Sequence, residues 1–135
     1  MSLPVRHLPV VQNWDCHGCG ACCHEYQVFV TDEERQRILS QGWEKDSTIG
    51  GLPLFVRQGR LRGGRYRLNH RSNGACIFLS EAGRCRIHEL FGSQAKPLAC
   101  QLYPFILIPT AKNWRVGLRF SCPSSAENKG RPLPE

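Results

Sequence analysis

Cys16-His17-Gly18-Cys19-Gly20-Ala21-Cys22-Cys23 holds four of the chain's eight cysteines, and its reading decides the fold. Cysteines two residues apart can wrap a tight turn so that both thiolates reach one metal, and Gly18 and Gly20 permit the backbone angles such a turn needs. Thiolates are soft donors. They select zinc, copper(I) or the iron of an iron–sulfur cluster over magnesium or calcium. Buried cysteines that merely pack occur singly, so four in eight residues point to a metal site.

The chain around that stretch has 135 residues, 41% hydrophobic and 21% charged, which fits one soluble domain with a single modest core. No apolar run is long enough to span a membrane. The segment Met1 to Val10 lacks the apolar core and small-residue cleavage site of an export signal, so a cytoplasmic home is expected. Thiols stay reduced there, and eight cysteines are better explained by metal than by disulfides.

Downstream, Tyr26-Gln27-Val28-Phe29-Val30 has the aromatic and β-branched content of a strand leaving the site. Thr31-Asp32-Glu33-Glu34 reads as a capping box whose acidic turn complements the helix dipole. It opens a helix with Ile38 and Leu39 on its apolar side and Gly42 as its stop. Between Gly50 and Asn69, Leu52, Leu54, Phe55 and Val56 alternate loosely with arginines. Gly59 and Gly63-Gly64 supply turns, so short β-hairpins are expected. Arg57, Arg60, Arg62, Arg65, Arg67 and Arg71 form the basic region. With no nucleic-acid motif in the chain, solvent-facing arginines on strands are favoured over a nucleic-acid surface.

Cys76-Ile77-Phe78-Leu79, the turn Ser80-Glu81-Ala82-Gly83 and Cys85 read as a hairpin with a thiol near each end. Ile87, Leu90 and Phe91 then recur at helical spacing until Gly92. Lys96-Pro97 opens a further helix that places Cys100 close to Tyr103 before Pro104 ends it. A last hairpin, Phe105-Ile106-Leu107-Ile108 against Trp114 to Phe120, delivers Cys122-Pro123. The expected fold is α+β, a small metal-stabilised single domain of short β-hairpins and two or three short helices. Residues 1–13 form an arm, 14–123 the cysteine-cluster metal-binding domain and 124–135 a polar tail or linker.

The order Cys-x-x-Cys-x-x-Cys-Cys, Cys-x-Phe-Leu, Cys-x-Ile, Lys-Pro-x-x-Cys-x-x-Tyr-Pro-Phe and Cys-Pro resembles the YkgJ-type cysteine-cluster family, the zinc- or iron-chelating CxxCxxCC domain also found in flagellin lysine methylases. The match rests on Cys16, Cys19, Cys22, Cys23, Cys76, Cys85, Cys100 and Cys122, with Phe78, Leu79, Pro97, Pro104 and Phe105 around them. The family usually has Arg-Pro and Cys-Arg where this chain has Lys96-Pro97 and Cys100-Gln101. The resemblance implies a metal site and leaves the activity open. Through the methylases it implies S-adenosylmethionine chemistry linked to an iron–sulfur cluster, for which no Gly-rich cofactor loop is visible here.

The expected function is therefore metal binding through all eight cysteines, by an iron–sulfur cluster, zinc or both, in a redox, metal-handling or partner-recognition role. The alternative is a module of an S-adenosylmethionine-dependent protein lysine methylase. The ferredoxin-like spacing favours a [4Fe–4S] cluster over zinc. Eight thiols can make two sites of four, or one cluster site with the remainder structural. Two sites carrying about −2 each would lower the formal charge of +7 to roughly +3, which weakens any case for an anionic partner. Side chains diverge where a chain enters a strand, so Cys22 is assigned with Cys16, Cys19 and Cys122, and Cys23 with Cys76, Cys85 and Cys100. His17, His24, His70 and His88 are candidate replacement ligands. For His88 a hydrogen bond to a thiolate is preferred over ligation. A Cys–His nucleophile is disfavoured, since metal-held thiolates cannot attack and no orienting third residue is found. Expected partners are the metal and a protein, with neither membrane nor nucleic acid.

Overall fold

The structure is a computed structural model that describes residues 12–59 and 63–133. Residues 1–11 of the expected arm, and Arg60 and Arg62 of the basic region, lie outside them. The fold is α+β, with two small antiparallel sheets and five short α-helices among the described residues.

The first sheet has strand order β1-β3-β2, from β1 (Phe29–Val30), β2 (Phe55–Gln58) and β3 (Arg65–Leu68). Phe29 pairs with Arg67 on one side of β3, and Phe55 pairs with Leu68 on the other. The strand expected over Tyr26–Val30 shrinks to its last two residues because a helical turn precedes it. The capping box forms as expected. Thr31 Oγ1 accepts from Glu34 N at 3.2 Å and Glu34 Oε2 from Thr31 N at 2.9 Å, opening α2 (Asp32–Leu39). Ile38 carries this helix into a core with Val28, Trp43, Leu54, Leu68, Ile77, Phe78 and Ile87. Trp43 meets the Phe78 ring edge-on at 5.1 Å.

The arginines around β3 are more engaged than solvent-facing side chains. Arg67 donates to Leu68 O at 3.1 Å, and Arg71 donates to Thr48 O at 2.8 Å and Ile77 O at 3.0 Å. Each bond satisfies a backbone carbonyl, that of Leu68 at the end of β3 and those of Thr48 and Ile77 in loops.

The stretch 76–85 is looser than the expected hairpin. It has the isolated bridges His70↔Cys76 and Leu79↔Cys85 around a turn closed by Gly83 N to Ser80 O at 2.9 Å. Next come α3 (Arg86–Phe91), stopped at Gly92 as expected, and α4 (Leu98–Leu102). The second sheet follows, β4 (Phe105–Pro109) against β5 (Trp114–Leu118), with Phe105 opposite Leu118 and Pro109 opposite Trp114.

The stretch 124–135, expected as a polar tail or linker, begins inside a helix. Cys122 precedes α5 (Pro123–Glu127), with Pro123 at the first helical position, where its missing N–H costs nothing. Ser124 and Ser125 are buried. Beyond α5, Trp14 N donates to Arg131 O at 2.9 Å, Leu133 N donates to Gln12 O at 2.8 Å, and Arg131 Nε meets Asp15 Oδ1 at 2.8 Å. The two ends of the described chain thus close on each other beside the first cysteines. Among the described residues no helix is long and apolar enough to cross a membrane.

Candidate metal centre

The first cysteines ride on two left-handed glycines, Gly18 (φ 67°) and Gly20 (φ 69°), which turn the chain into α1 (Cys22–Glu25). Because Cys22 and Cys23 occupy a helical turn and not a strand, their side chains are about 100° apart rather than opposed. Both reach one cavity, and the expected divergence does not occur. A Cβ on Gly20 would stand 3.0 Å from Gly83 O and 3.5 Å from Leu79 Cδ1, so the first loop docks directly on the 80–83 turn. A backbone bond from Cys76 N to Cys23 O at 2.5 Å joins the same two segments.

Cys85 sits immediately before α3, whose first residue, Arg86, grips Asp46 by two bonds of 2.9 and 2.7 Å and lies 5.3 Å from the centre of the Trp43 ring. Cys100 lies on α4. Glu34, already the capping-box acid of α2, places its other oxygen 2.7 Å from Leu98 N and so caps α4 as well. Gln101 donates to Lys96 O at 2.8 Å and holds the turn before α4. Gln101 therefore serves to position Lys96.

Together these elements enclose a cavity of about 370 Å³. Six of the eight cysteines line it: Cys16, Cys22, Cys23, Cys76, Cys85 and Cys100. Its apolar floor comes from the core through Val28, Leu68, Phe78 and Ile87, while His70, His88 and Lys96 supply polar groups. Tyr26 and Tyr103, rings 5.0 Å apart, form part of its wall. Cys19 is exposed and outside the lining, and Cys122 is buried outside it. His17 faces elsewhere, its N–H on Ser124 Oγ at 3.2 Å and its ring 3.7 Å from Glu127. His24 lines a neighbouring groove.

The two most deeply placed cavity thiols, Cys76 and Cys100, are poorly disposed to ionise by themselves. Burial pushes Cys76 up to about 11. Burial, with repulsion from Cys76 next, pushes Cys100 up to about 12. The Cys22–Cys23 pair divides one proton: Cys23 donates to Cys22, which raises Cys23 and lowers Cys22, and Lys96 further favours the Cys22 thiolate. Burial lowers the His70 pKa, with Arg67 reinforcing it. Burial and mutual repulsion are the two penalties a bound cation removes, so the donor set fits a soft metal. Among the described residues no three His, Cys, Asp or Glu side chains converge as ligands of a single ion.

Cys122 is a different case. Burial opposes its thiolate, yet N–H groups at the start of α5, that of Ser125 foremost, outweigh this and lower its pKa. The Ser125 hydroxyl and the Trp14 indole N–H beside it favour the thiolate as well.

The positioning residues Glu34, Asp46 and Arg86 were not read as site residues from the sequence. Only Glu34 left a local signal, and that signal concerned its own helix.

A family model described as "Putative zinc- or iron-chelating domain", CxxCxxCC, matches residues 15–123. The chain belongs to that family. No curated protein and no solved structure matches it.

Proposed function

We propose, with membership of this chelating family as the premise, that the six-thiol cavity holds an iron–sulfur cluster in preference to zinc, and that the domain serves as a redox or metal-handling protein. The observation that carries this reading is the spread of six thiols around one cavity of about 370 Å³. A zinc ion with Zn–S bonds near 2.3 Å would draw four sulfurs to within about 4 Å of one another. A polynuclear cluster accepts donors spread more widely, and bacterial ferredoxins reach theirs with the same two-residue spacing.

Cys22 and Cys23 from α1, Cys76 and Cys85 from the irregular loop, and Cys100 from α4 are the ligand candidates, with Cys16 at the mouth. Cys19 and Cys122 complete the set only if the first loop and α5 close further. A bound cluster would supply a one-electron redox centre shielded by the apolar floor. Lys96 would offset thiolate charge, and the His70 ring would donate to sulfur. Cys76 and Cys100 must lose protons as they bind, so loading should weaken as pH falls.

Iron, zinc and acid-labile sulfide analysis with visible absorption of anaerobically purified protein tests the reading. A brown protein with sulfide supports it, and a colourless one holding zinc without sulfide reverses it. Calorimetric titration of the loaded protein with S-adenosylmethionine separates it from the methylase alternative, which requires binding.

A further inference from the structure

The hairpin β4–β5 has two unlike faces set by its register. Phe105, Leu107 and Pro109 stand opposite Leu118, Val116 and Trp114 on one face, while Ile106 and Ile108 stand opposite Gly117 and Arg115 on the other. The base of the first face is covered, with Phe105 edge-on to Trp14 at 5.0 Å and Leu118 buried. Its outer part is bare: Leu107 is 62%, Val116 60% and Trp114 67% exposed. One apolar face therefore begins under the protein's own tryptophan and runs out uncovered.

Two further features say what would cover it. The sheet has only these two strands, so among the described residues both outer edges lack a strand partner. The charge is also one-sided. From Leu90 to Ala126 the chain has no Asp or Glu but carries Lys96, Lys112, Arg115 and Arg119. Lys112 and Arg115 have no acidic partner among the described residues.

We propose that the hairpin is a docking surface for an acidic protein segment that adds as a strand to the open edge of β5. Alternate apolar residues of that segment would extend the Leu107–Trp114–Val116 face, and its carboxylates would meet Arg115, Arg119 and Lys112. Strand addition satisfies the outward N–H and C=O groups of β5, and alternate side chains give specificity. A second copy of the hairpin would set the same cations against each other with no carboxylate between them. Lipid would leave the edge groups unpaired. An acidic strand meets the apolar, hydrogen-bonding and charge requirements together.

The test uses the full metal-loaded chain and two short synthetic peptides, one alternating valine with glutamate and one valine with lysine. Titration calorimetry should show binding of the glutamate peptide alone, weakening as salt rises. Affinity should fall about tenfold or more in the Leu107→Ser/Trp114→Ser protein and severalfold in Arg115→Glu. Because the substituted side chains are exposed, unchanged circular dichroism and metal content would show that lost binding is not lost folding. The proposal is overturned if neither peptide binds or both bind equally. It is equally overturned if phosphatidylserine–phosphatidylcholine vesicles capture the protein through Trp114 and the glutamate peptide does not, or if sedimentation shows a dimer that Trp114→Ser dissolves.

Discussion

The chain from Val28 to Ile87, which supplies the floor of the thiol cavity, packs Ile38, Trp43, Leu54, Leu68, Ile77 and Phe78 into a continuous core. The β4–β5 hairpin, by contrast, buries one of its apolar side chains, Leu118, and leaves Leu107, Ile108, Trp114 and Val116 bare. The first region has enough buried apolar surface to hold a structure. The second is a two-stranded ribbon, marginal in water unless something else fixes it. The cavity is lined by Cys76 and Cys85 from the core side and by Cys100 on α4, the helix that leads into the hairpin. The difference teaches that a bound metal would tie the packed core, through Cys76 and Cys85, to the segment that leads into the less packed hairpin, through Cys100.

Metal removal should have the largest effect. Structural metal sites contribute folding free energy on the order of 10 kcal/mol, and this core is small. Chelation should lower the melting temperature sharply, and protease should cut first in the 105–118 hairpin before reaching 28–87. Circular dichroism and mapped digestion before and after chelation check this, and an apo-protein with unchanged melting and digestion would defeat it.

Next come the cysteines themselves. Cys76→Ser removes a buried donor from the cavity and should abolish metal content, whereas Cys19→Ser should leave it intact. Cys122→Ser is the sharper test. If it also loses metal, α5 belongs to the site, and the Trp14 and Ser125 donors beside Cys122 serve to hold a liganding thiolate.

Gly20→Ala should cost more than Gly18→Ala. Both glycines are left-handed, which costs a side-chain-bearing residue about 1–2 kcal/mol. Only at Gly20 does the new methyl also press a backbone oxygen, Gly83 O at 3.0 Å, while Gly18 has open space. Equal losses in denaturant melts would mean that the docking of the first loop on the 80–83 turn is not what holds it.

Much of this arrangement was legible where the cause is local. The capping box at Thr31–Glu34, the stop at Gly92, the proline before α4 and the turn of the last hairpin each depend on a few neighbouring residues, and each appears. What escaped depends on distant partners. Nothing near Glu34 says that its second oxygen will cap α4, 64 residues away. Nothing in the polar run after Cys122 says that it will fold back to pair with residues 12–14. The vicinal cysteines were read as entering a strand because Val28, Phe29 and Val30 follow, but Gly20 and Ala21 supply the carbonyls for a helical turn first. The cysteines were visible as donors, while their gathering into one cavity was a matter of tertiary placement.

A smaller effect concerns the bond that seats α3 beside Cys85. The Arg86 guanidinium, with Thr48 next, holds the Asp46 carboxyl well below the usual range. Its contribution is therefore fully present above the unfolded value of about 3.9 and is lost as pH falls from there toward the folded value. Wild type should exceed Asp46→Asn in melting temperature near neutrality, and the gap should narrow in acid. A gap independent of pH would mean that the carboxylate charge is not what matters.

The smallest expected effect is on the bare face of the hairpin. Leu107 and Trp114 are apolar, yet in the isolated chain they cover almost nothing, so replacing both with serine removes little burial. Exposed substitutions of this kind change stability by about 0.5 kcal/mol or less. The corresponding change on the core side, Phe78→Ala, opens a cavity in a side chain that is 1% exposed and should cost about 3–5 kcal/mol. Denaturant melts of the two variants in the metal-loaded protein measure the contrast directly. A large loss from the serine pair would mean that the face is already covered within this chain, and the hairpin would then be part of the protein's own core, not a surface left for a partner.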